Sequence, residues 1–211
     1  MMGAFLTAMI VVGALAGSVR AGEIIDRILA VVGGELILLS DATVALRFGL
    51  VEAPPEGVDP IGAALDALID RELQLFEVNR YVPPEPERAA IDGQMAVVRA
   101  RFATAEDFQA ALAESGISEA VLRSRIRDTL RIASYRSQRF AAALEPSDEE
   151  LLRYYRMREA EFTRDGVLQP FGEVRDQLRR RVATERSASL INEWLATLRR
   201  RADVQVLYGV K

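Results

Sequence analysis

Strand-forming sequence occurs only near the two ends of this chain, which restricts the folds that it can adopt. Near the N-terminus, two short apolar runs flank the pair Gly33-Gly34, and this pattern predicts a β-hairpin over residues 28–39. Near the C-terminus, residues 204–208 have the composition of a strand. A lone strand needs a partner, and the hairpin is the only other strand-like sequence. We therefore expect the two ends to meet in a small antiparallel sheet.

Between these ends the sequence predicts a mainly α-helical, multi-helix domain, with apolar residues at three- and four-residue spacing. Asp59 precedes a proline as a helix cap does, Thr104 and Ser147 each begin a capping box, and Ser118 precedes a long amphipathic segment. Ser40-Asp41 is expected to cap the first helix. The predicted helices cover about residues 42–48, 60–80, 85–102, 105–115, 119–142, 148–162 and 171–202.

Residues 1–21 have the pattern of a secretory signal peptide. Residues 3–19 are apolar and uncharged, and Val19 and Ala21 stand at positions −3 and −1 of a cleavage site after Ala21. The apolar run is shorter than the ~20 residues that span a bilayer. No Lys or Arg precedes it, so an uncleaved N-terminal anchor and a buried helix remain alternatives. With cleavage, residues 22–211 form one exported domain without stable membrane insertion.

The composition excludes many kinds of active site. The chain has no cysteine and no histidine, and its only lysine is Lys211. Disulfides, thiolate metal sites, histidine-dependent nucleophiles and a P-loop lysine are therefore excluded. Carboxylate chemistry remains, and the nearest approach to it is the cluster Glu145, Asp148, Glu149 and Glu150. Helix capping explains this cluster better, so we expect a protein that is not an enzyme and has no metal or other cofactor.

Charge is unevenly distributed along the chain. Residues 22–119 contain 18 acidic residues and 7 arginines, whereas residues 120–211 contain 13 acidic residues, 18 arginines and the lysine. The arginine-rich half could present a basic surface to an acidic partner. Alternatively, the two halves face each other or simply solvate helices. Export argues against nucleic acid as a partner.

Five segments, in order along the chain, resemble the SurA-type chaperones. Residues 28–41 resemble the hairpin and helix cap with which these proteins begin, and residues 67–77 resemble their second helix. Residues 105–127 are similar to the helical pair that follows, and residues 146–162 to the segment before the inserted isomerase domain. Residues 170–206 resemble the C-terminal helix and strand that return to the N-terminal domain. The resemblance covers nearly the whole of the predicted mature chain.

The chain departs from this family in one place. In the family, a parvulin prolyl-isomerase domain of roughly a hundred residues separates the last two segments. Here, the linker 163–170 alone connects the N-terminal part, residues 22–162, to the C-terminal helix and strand, residues 171–211. The histidines that line a parvulin site are absent as well. We therefore do not extend the isomerase activity of the family to this chain.

The resemblance implies an ATP-independent holdase in the periplasm that binds unfolded outer-membrane or secreted polypeptides. A holdase needs exposed apolar surface of limited area on a stable frame. The candidates for a client-binding surface are apolar side chains of the middle helices: Phe102, Phe108, Leu112, Ile117, Leu122 and Tyr135. Side chains at helical spacing fit a buried core equally well, and this alternative stays open. A second hypothesis is a non-enzymatic, dedicated partner of one envelope complex.

Overall fold

The computed structural model describes residues 26–143 and 145–209, so the signal peptide predicted for residues 1–21 lies outside the described residues. The helices are α1 (Leu39–Arg47), α2 (Pro60–Tyr81), α3 (Arg88–Arg99), α4 (Ala105–Glu114), α5 (Glu119–Phe140), α6 (Asp148–Met157) and α7 (Phe171–Arg201). The strands are β1 (Ile28–Val32), β2 (Glu35–Leu38), β3 (Thr163–Arg164), β4 (Val167–Leu168) and β5 (Val204–Val206). Short 3₁₀ turns cover Ala141–Ala143 and Glu159–Phe162.

The predicted sheet between the two ends of the chain is confirmed. Its strand order is β2-β1-β5, and both pairs are antiparallel. Gly33 and Gly34 form the hairpin turn with φ angles of 56° and 95°, which glycine adopts without steric cost. The last strand is shorter than predicted, because beyond Val206 the amides of Leu207 and Tyr208 both donate to the carbonyl oxygen of Leu29.

The predicted helix caps at Asp59, Thr104, Ser118 and Ser147 are all formed. The cap of α1 is different. Strand β2 runs directly into this helix, so Leu38 occupies the cap position, and the carboxylate of Asp41 accepts a hydrogen bond from its amide at 3.0 Å. Ser40-Asp41 therefore lies inside the first turn of α1. The negative charge of Asp41 also interacts favourably with the helix dipole there.

Two helices are shorter than the sequence predicts. α3 begins at Arg88 rather than at residue 85, because Pro84 and Pro86 favour extended backbone in the residues before them. α6 ends at Met157, and Phe162 belongs to the 3₁₀ turn that follows. The segment predicted as a linker, residues 163–170, contains the two-residue strands β3 and β4, which pair with each other as a hairpin.

Three separate groups of buried side chains organise the molecule. The first lies between the three-stranded sheet, α1, α2, the C-terminal half of α5 and the C-terminal end of α7. The second fills an arm made of α3, α4 and the N-terminal half of α5, and it includes Val44 and Phe48 at the end of α1. The third joins α6 and the turn after it to the N-terminal half of α7. α7 therefore connects the first and third groups, and none of its residues between Val182 and Trp194 is buried.

Ion pairs join the acidic and the arginine-rich halves of the chain. Arg199 contacts the carboxylate of Asp70 at 2.6 Å, and Arg125 contacts that of Asp41 at 2.5 Å. Most such pairs are partly exposed, so each stabilises the fold by only about 0–1 kcal/mol. These contacts favour the interpretation in which the two charged halves face each other. No helix within residues 26–143 and 145–209 is long and apolar enough to cross a membrane.

Candidate functional site

The six side chains predicted to contact a client fall into two groups. Four of them are buried: Phe108, Leu112, Leu122 and Tyr135. The first three belong to the core of the arm, where the Phe108 ring meets Phe48 edge to face, and Tyr135 belongs to the first core group. In this conformation these four stabilise the fold and offer little surface, which is the alternative that helical spacing left open. Phe102 and Ile117 are half-buried against the arm core.

A shallow groove of about 370 Å³ at the tip of the arm is lined by Phe102 and Phe108. The guanidinium of Arg99 lies over the Phe108 ring at 5.5 Å and also pairs with Glu119, so it covers one side of the groove. Phe108 is only 2% exposed. The groove therefore offers little apolar area to a ligand.

A groove of about 380 Å³ with a more apolar lining lies at the place where the two ends of the chain meet, and we call it the closure groove. Its apolar lining comes from α2 and α7, and charged side chains of both signs stand at its margin. The lining residues are Gly33, Leu73, Phe76, Glu77, Arg80, Leu198, Arg201, Ala202 and Asp203. Phe76 is 37% exposed, which is unusual for a large aromatic ring on an amphipathic helix.

The hairpin turn shapes the closure groove. A Cβ atom added to Gly33 would lie 3.0 Å from Cζ of Phe76, so the ring rests directly on the turn. The amide of Gly33 donates a hydrogen bond to the carbonyl oxygen of Asp203 at 2.9 Å. The groove exists only because the hairpin, α2 and the end of α7 come together, as the pairing of the two chain ends requires.

A third groove, which we call the aromatic groove, has a volume of about 450 Å³ and is lined by Tyr81, Pro83, Tyr135, Gln138 and Arg139. The ring centroids of Tyr81 and Tyr135 are 5.5 Å apart, and those of Tyr135 and Trp194 are 5.7 Å apart. Arg139 lies over the Trp194 ring at 5.5 Å and donates to the hydroxyl of Tyr135 at 3.3 Å. Tyr81 is 63% exposed, so this row of rings leads from the core to the surface.

A buried arginine braces the loop beside Tyr81. Arg131 on α5 is 8% exposed, and its guanidinium donates to Asn79 at 3.1 Å. It also lies 3.3 Å from the carboxylate of Glu85 and 3.6 Å from that of Asp128. These contacts hold the segment after α2 against α5. They therefore fix the position of Tyr81 relative to Tyr135.

A fourth groove, of about 290 Å³, is lined mainly by charged groups between β2, α2 and α5. Arg71 contacts Glu72 at 2.5 Å and Asp128 at 3.4 Å, so most of the charge in this groove is paired. Burial raises the pKa of Glu72, and the neighbouring Arg71 only partly opposes this effect. The paired charges make this groove a poor site for an apolar client.

Carboxylates of the acidic cluster near residue 148 make hydrogen bonds and ion pairs that stabilise the fold. The carboxylate of Glu150 accepts from the amide of Ser147 at 2.8 Å and from Arg186 at 2.8 Å, and these bonds lower its pKa. The pKa of Asp148 is lowered by its hydrogen bond to Arg175. Both carboxylates are therefore ionised acceptors that cap and pair. In the part of the chain that the structure describes, no group of three acidic side chains could hold a metal ion.

Sequence reasoning missed the most exposed aromatic residues of these grooves. Phe76 lies on an apolar helical stripe, which predicts burial and cannot distinguish a core ring from one at the margin of a groove. Tyr81 carried a usable signal. It is the last residue of α2, directly before Val82-Pro83-Pro84, and an aromatic residue at a helix end has no following turn to cover it.

Comparisons with known proteins agree with this architecture. No family model matches the sequence, and no curated protein matches it. The structure is similar to a solved SurA-like chaperone of Campylobacter jejuni, from the structurally related pair formed by the virulence factor PEB4 and the periplasmic protein Cj1289. The similarity covers 87% of this chain and all of that chain, with a TM-score of 0.55 and 13% sequence identity. The chain therefore has a SurA-like fold.

Proposed function

We propose that this protein is an ATP-independent chaperone that holds unfolded polypeptides in the periplasm. Its clients are outer-membrane or secreted proteins that have not yet folded, and it releases them without a nucleotide. The SurA-like fold supports this proposal at the level of architecture. The predicted signal peptide supports the location.

One observation carries the proposal. The closure groove and the aromatic groove both draw on the last two turns of α2, through Phe76, Arg80 and Tyr81. Exposed aromatic rings at two neighbouring grooves give a binding surface that is apolar enough for unfolded chains. The charged residues around the closure groove keep the apolar patch small, which opposes association between copies of the chaperone.

A chaperone that releases its clients without a nucleotide must bind them weakly. No single contact with the client can therefore be strong. Burial of one aromatic side chain contributes about 1.5–3 kcal/mol, and ordering an unfolded segment offsets much of it. Two such contacts contribute at most about 6 kcal/mol before this cost, so the expected affinities lie in the upper micromolar to millimolar range. Such complexes dissociate fast enough for a client to leave when it begins to fold.

Aggregation assays with several unrelated unfolded proteins test the proposal. The purified exported protein should suppress aggregation of each client, with no effect of added ATP. The double variant Phe76→Ser, Tyr81→Ser should lose most of this activity. Met157→Ser is the matched control, because Met157 is 79% exposed and lines neither groove, and it should retain full activity.

Failure to suppress aggregation of any client would contradict the holdase proposal. Protection of one client alone would favour the dedicated-partner hypothesis, and cross-linking in a periplasmic extract would then give one dominant product. Equal activity of the double variant and the control would place the client surface outside the two grooves. Circular dichroism of each variant distinguishes loss of binding from loss of the fold.

The proposal also includes location and the lack of isomerase activity. Fractionation of cells should recover the protein from the periplasm, and N-terminal sequencing should give Gly22 as the first residue. Clear acceleration of prolyl isomerisation in a peptide substrate would contradict the non-enzymatic role.

A further inference from the structure

A fifth surface groove carries an unusual arginine. It lies between the C-terminal half of α5 and the middle of α7 and has a volume of about 420 Å³. We call it the Arg136 groove, and its lining residues are Arg136, Ala183, Thr184, Ser187, Ala188 and Ile191. It is separate from the closure groove and from the aromatic groove in its lining residues.

Within residues 26–143 and 145–209, the guanidinium of Arg136 makes no hydrogen bond, ion pair or cation–π contact. Its neighbours on α5 behave differently, since Arg131 contacts Asn79 and Arg139 contacts Tyr135. Other arginines of these residues also lack a hydrogen bond or ion pair, but all of them are exposed to solvent: Arg27, Arg101, Arg156, Arg164, Arg180 and Arg201. Arg136 is half-buried, so it combines partial burial with the lack of a partner.

This combination is energetically unfavourable for the free protein. Partial burial removes water from the guanidinium and lowers the pKa of Arg136, yet an arginine stays charged at any physiological pH. A half-buried charge without a counterion gains more from an arriving anion than an exposed charge does, because water screens it less. A carboxylate suits a guanidinium best, since the two groups form paired hydrogen bonds.

The opposite wall of the groove suits a polypeptide backbone. Ala183, Ser187 and Ala188 have small side chains, which let an extended chain approach α7 closely. The side chain of Ser187 makes no hydrogen bond within the described residues, so its hydroxyl is available to a ligand. No residue of α7 between Val182 and Trp194 is fully buried, and Thr184 and Ala188 on this wall are exposed to solvent.

We propose that the Arg136 groove binds the Asp or Glu side chain of an extended client segment, with the guanidinium of Arg136 paired to the carboxylate. Charge complementarity selects this occupant. An internal acidic residue fits better than a chain end, because the groove is shallow and open, and a segment can pass along the ~12 Å of α7 between residues 183 and 191. This site depends on the proposed chaperone function, and it would give the chaperone a preference for client segments that contain an acidic residue.

The position of the groove also predicts a distance along the client chain between its acidic residue and an aromatic residue. Arg136 lies one helical turn before Arg139, which lines the aromatic groove, and Ile191 lies one helical turn before Trp194. One client segment can therefore place an aromatic residue in the aromatic groove and an acidic residue on Arg136. Client segments with an acidic residue a few positions from an aromatic one should bind best.

Fluorescence anisotropy with labelled peptides tests this inference. Three unstructured peptides share one apolar sequence with a single Phe and a neutral N-terminus. The first has Asp four residues after the Phe and an amidated C-terminus, the second has Asn in place of the Asp, and the third has Asn and a free C-terminal carboxylate. The wild-type protein should bind the Asp peptide about five- to tenfold more tightly than either Asn peptide in low salt, and the preference should shrink in 0.5 M NaCl.

The variant Arg136→Gln should bind all three peptides with equal affinity, at the level of the wild-type protein with the amidated Asn peptide. Arg156→Gln is the matched control, because it removes the same charge from an exposed arginine outside the groove, and it should retain the full preference. Equal affinity of the wild-type protein for the Asp and amidated Asn peptides overturns the inference, as does a preference that persists in Arg136→Gln. A preference for the free carboxylate instead makes the groove a chain-end site and also overturns it. Lack of binding to every peptide overturns the proposed function together with this inference.

Discussion

The amide of Gly33 donates a hydrogen bond to the carbonyl oxygen of Asp203 at 2.9 Å and so joins the hairpin turn to the residue before the last strand. This bond continues the ladder between β1 and β5, in which Val32 faces Val204. It also fixes the turn beneath the ring of Phe76. One contact therefore links the pairing of the chain ends to the shape of the closure groove.

Substitution of Gly33 should affect both stability and this groove. Gly33→Ala places a side chain at φ 56°, and its Cβ meets the Phe76 ring at 3.0 Å. We expect the free energy of unfolding to fall by about 1–2 kcal/mol, because a left-handed backbone is unfavourable for alanine and the ring must move. Urea denaturation followed by circular dichroism measures this change. An unchanged midpoint would show that the turn adapts without strain.

Gly93 provides the opposite case. It lies in the middle of α3, and an added Cβ would meet no atom within 4 Å. Gly93→Ala should raise the free energy of unfolding by about 0.5–1 kcal/mol, since alanine restricts the unfolded chain and favours the helix. The same urea titration measures it. A loss of stability in this variant would indicate that α3 packs against a surface that the structure leaves open.

Local chemistry explains why much of the fold could be predicted. The Gly-Gly turn, the strand at the far end of the chain and the caps at Asp59, Thr104 and Ser147 each depend on residues adjacent in sequence. The cap of α1 could not be predicted in the same way, because it depends on β2 continuing directly into the helix. The contribution of Phe162 to a third buried group depends on a turn that breaks the helical pattern.

The candidate site was harder to predict because it depends on exposure. Phe108 and Phe76 both stand on regular apolar stripes, yet the first is buried in the arm and the second lies open in the closure groove. The difference arises from where a neighbouring element ends, and a stripe carries no information about that. Arg136 shows the same limit, since only the packing of α5 beside α7 reveals that it lacks a partner.

Arg131 should contribute more to the stability of the fold than an exposed arginine does, because it is buried. Removing its side chain in Arg131→Met leaves the side-chain oxygen of Asn79 without its donor and takes away one of the three arginine contacts of Asp128, so we expect a loss of about 1–3 kcal/mol in the free energy of unfolding. Arg127→Met is the control, because Arg127 is exposed and its ion pairs are weak, and it should change stability by less than about 0.5 kcal/mol. Chemical denaturation of both variants tests this. Equal effects would mean that Arg131 does not brace the loop beside Tyr81.

Glu72 should make the stability of the fold depend on pH. Burial raises the pKa of this carboxyl in the folded state above its value in the unfolded chain. Between these two pKa values the folded state holds a proton that the unfolded state has lost, so the contribution of Glu72 to stability falls as pH rises through this window. Glu72→Gln removes this dependence. Relative to the wild-type protein, the variant should gain stability as pH rises from about 4.5, the pKa of glutamate in the unfolded chain, as urea titrations from pH 4 upward can measure. A constant difference across this range would contradict the raised pKa.

The fluorescence of Trp194 should respond to binding in the aromatic groove. Trp194 is the only tryptophan of the chain, and it contacts Tyr135, Phe140 and Arg139. Titration with an unfolded client that lacks tryptophan should change its emission in a saturable way, since a bound segment displaces water and shifts the rings near the indole. Tyr81→Ser should weaken the apparent affinity severalfold, because it removes the exposed ring at the surface end of the row. Met157→Ser should leave the affinity unchanged. Binding that anisotropy detects while the Trp194 emission stays constant would place the client away from this groove and would leave the closure groove as the principal site.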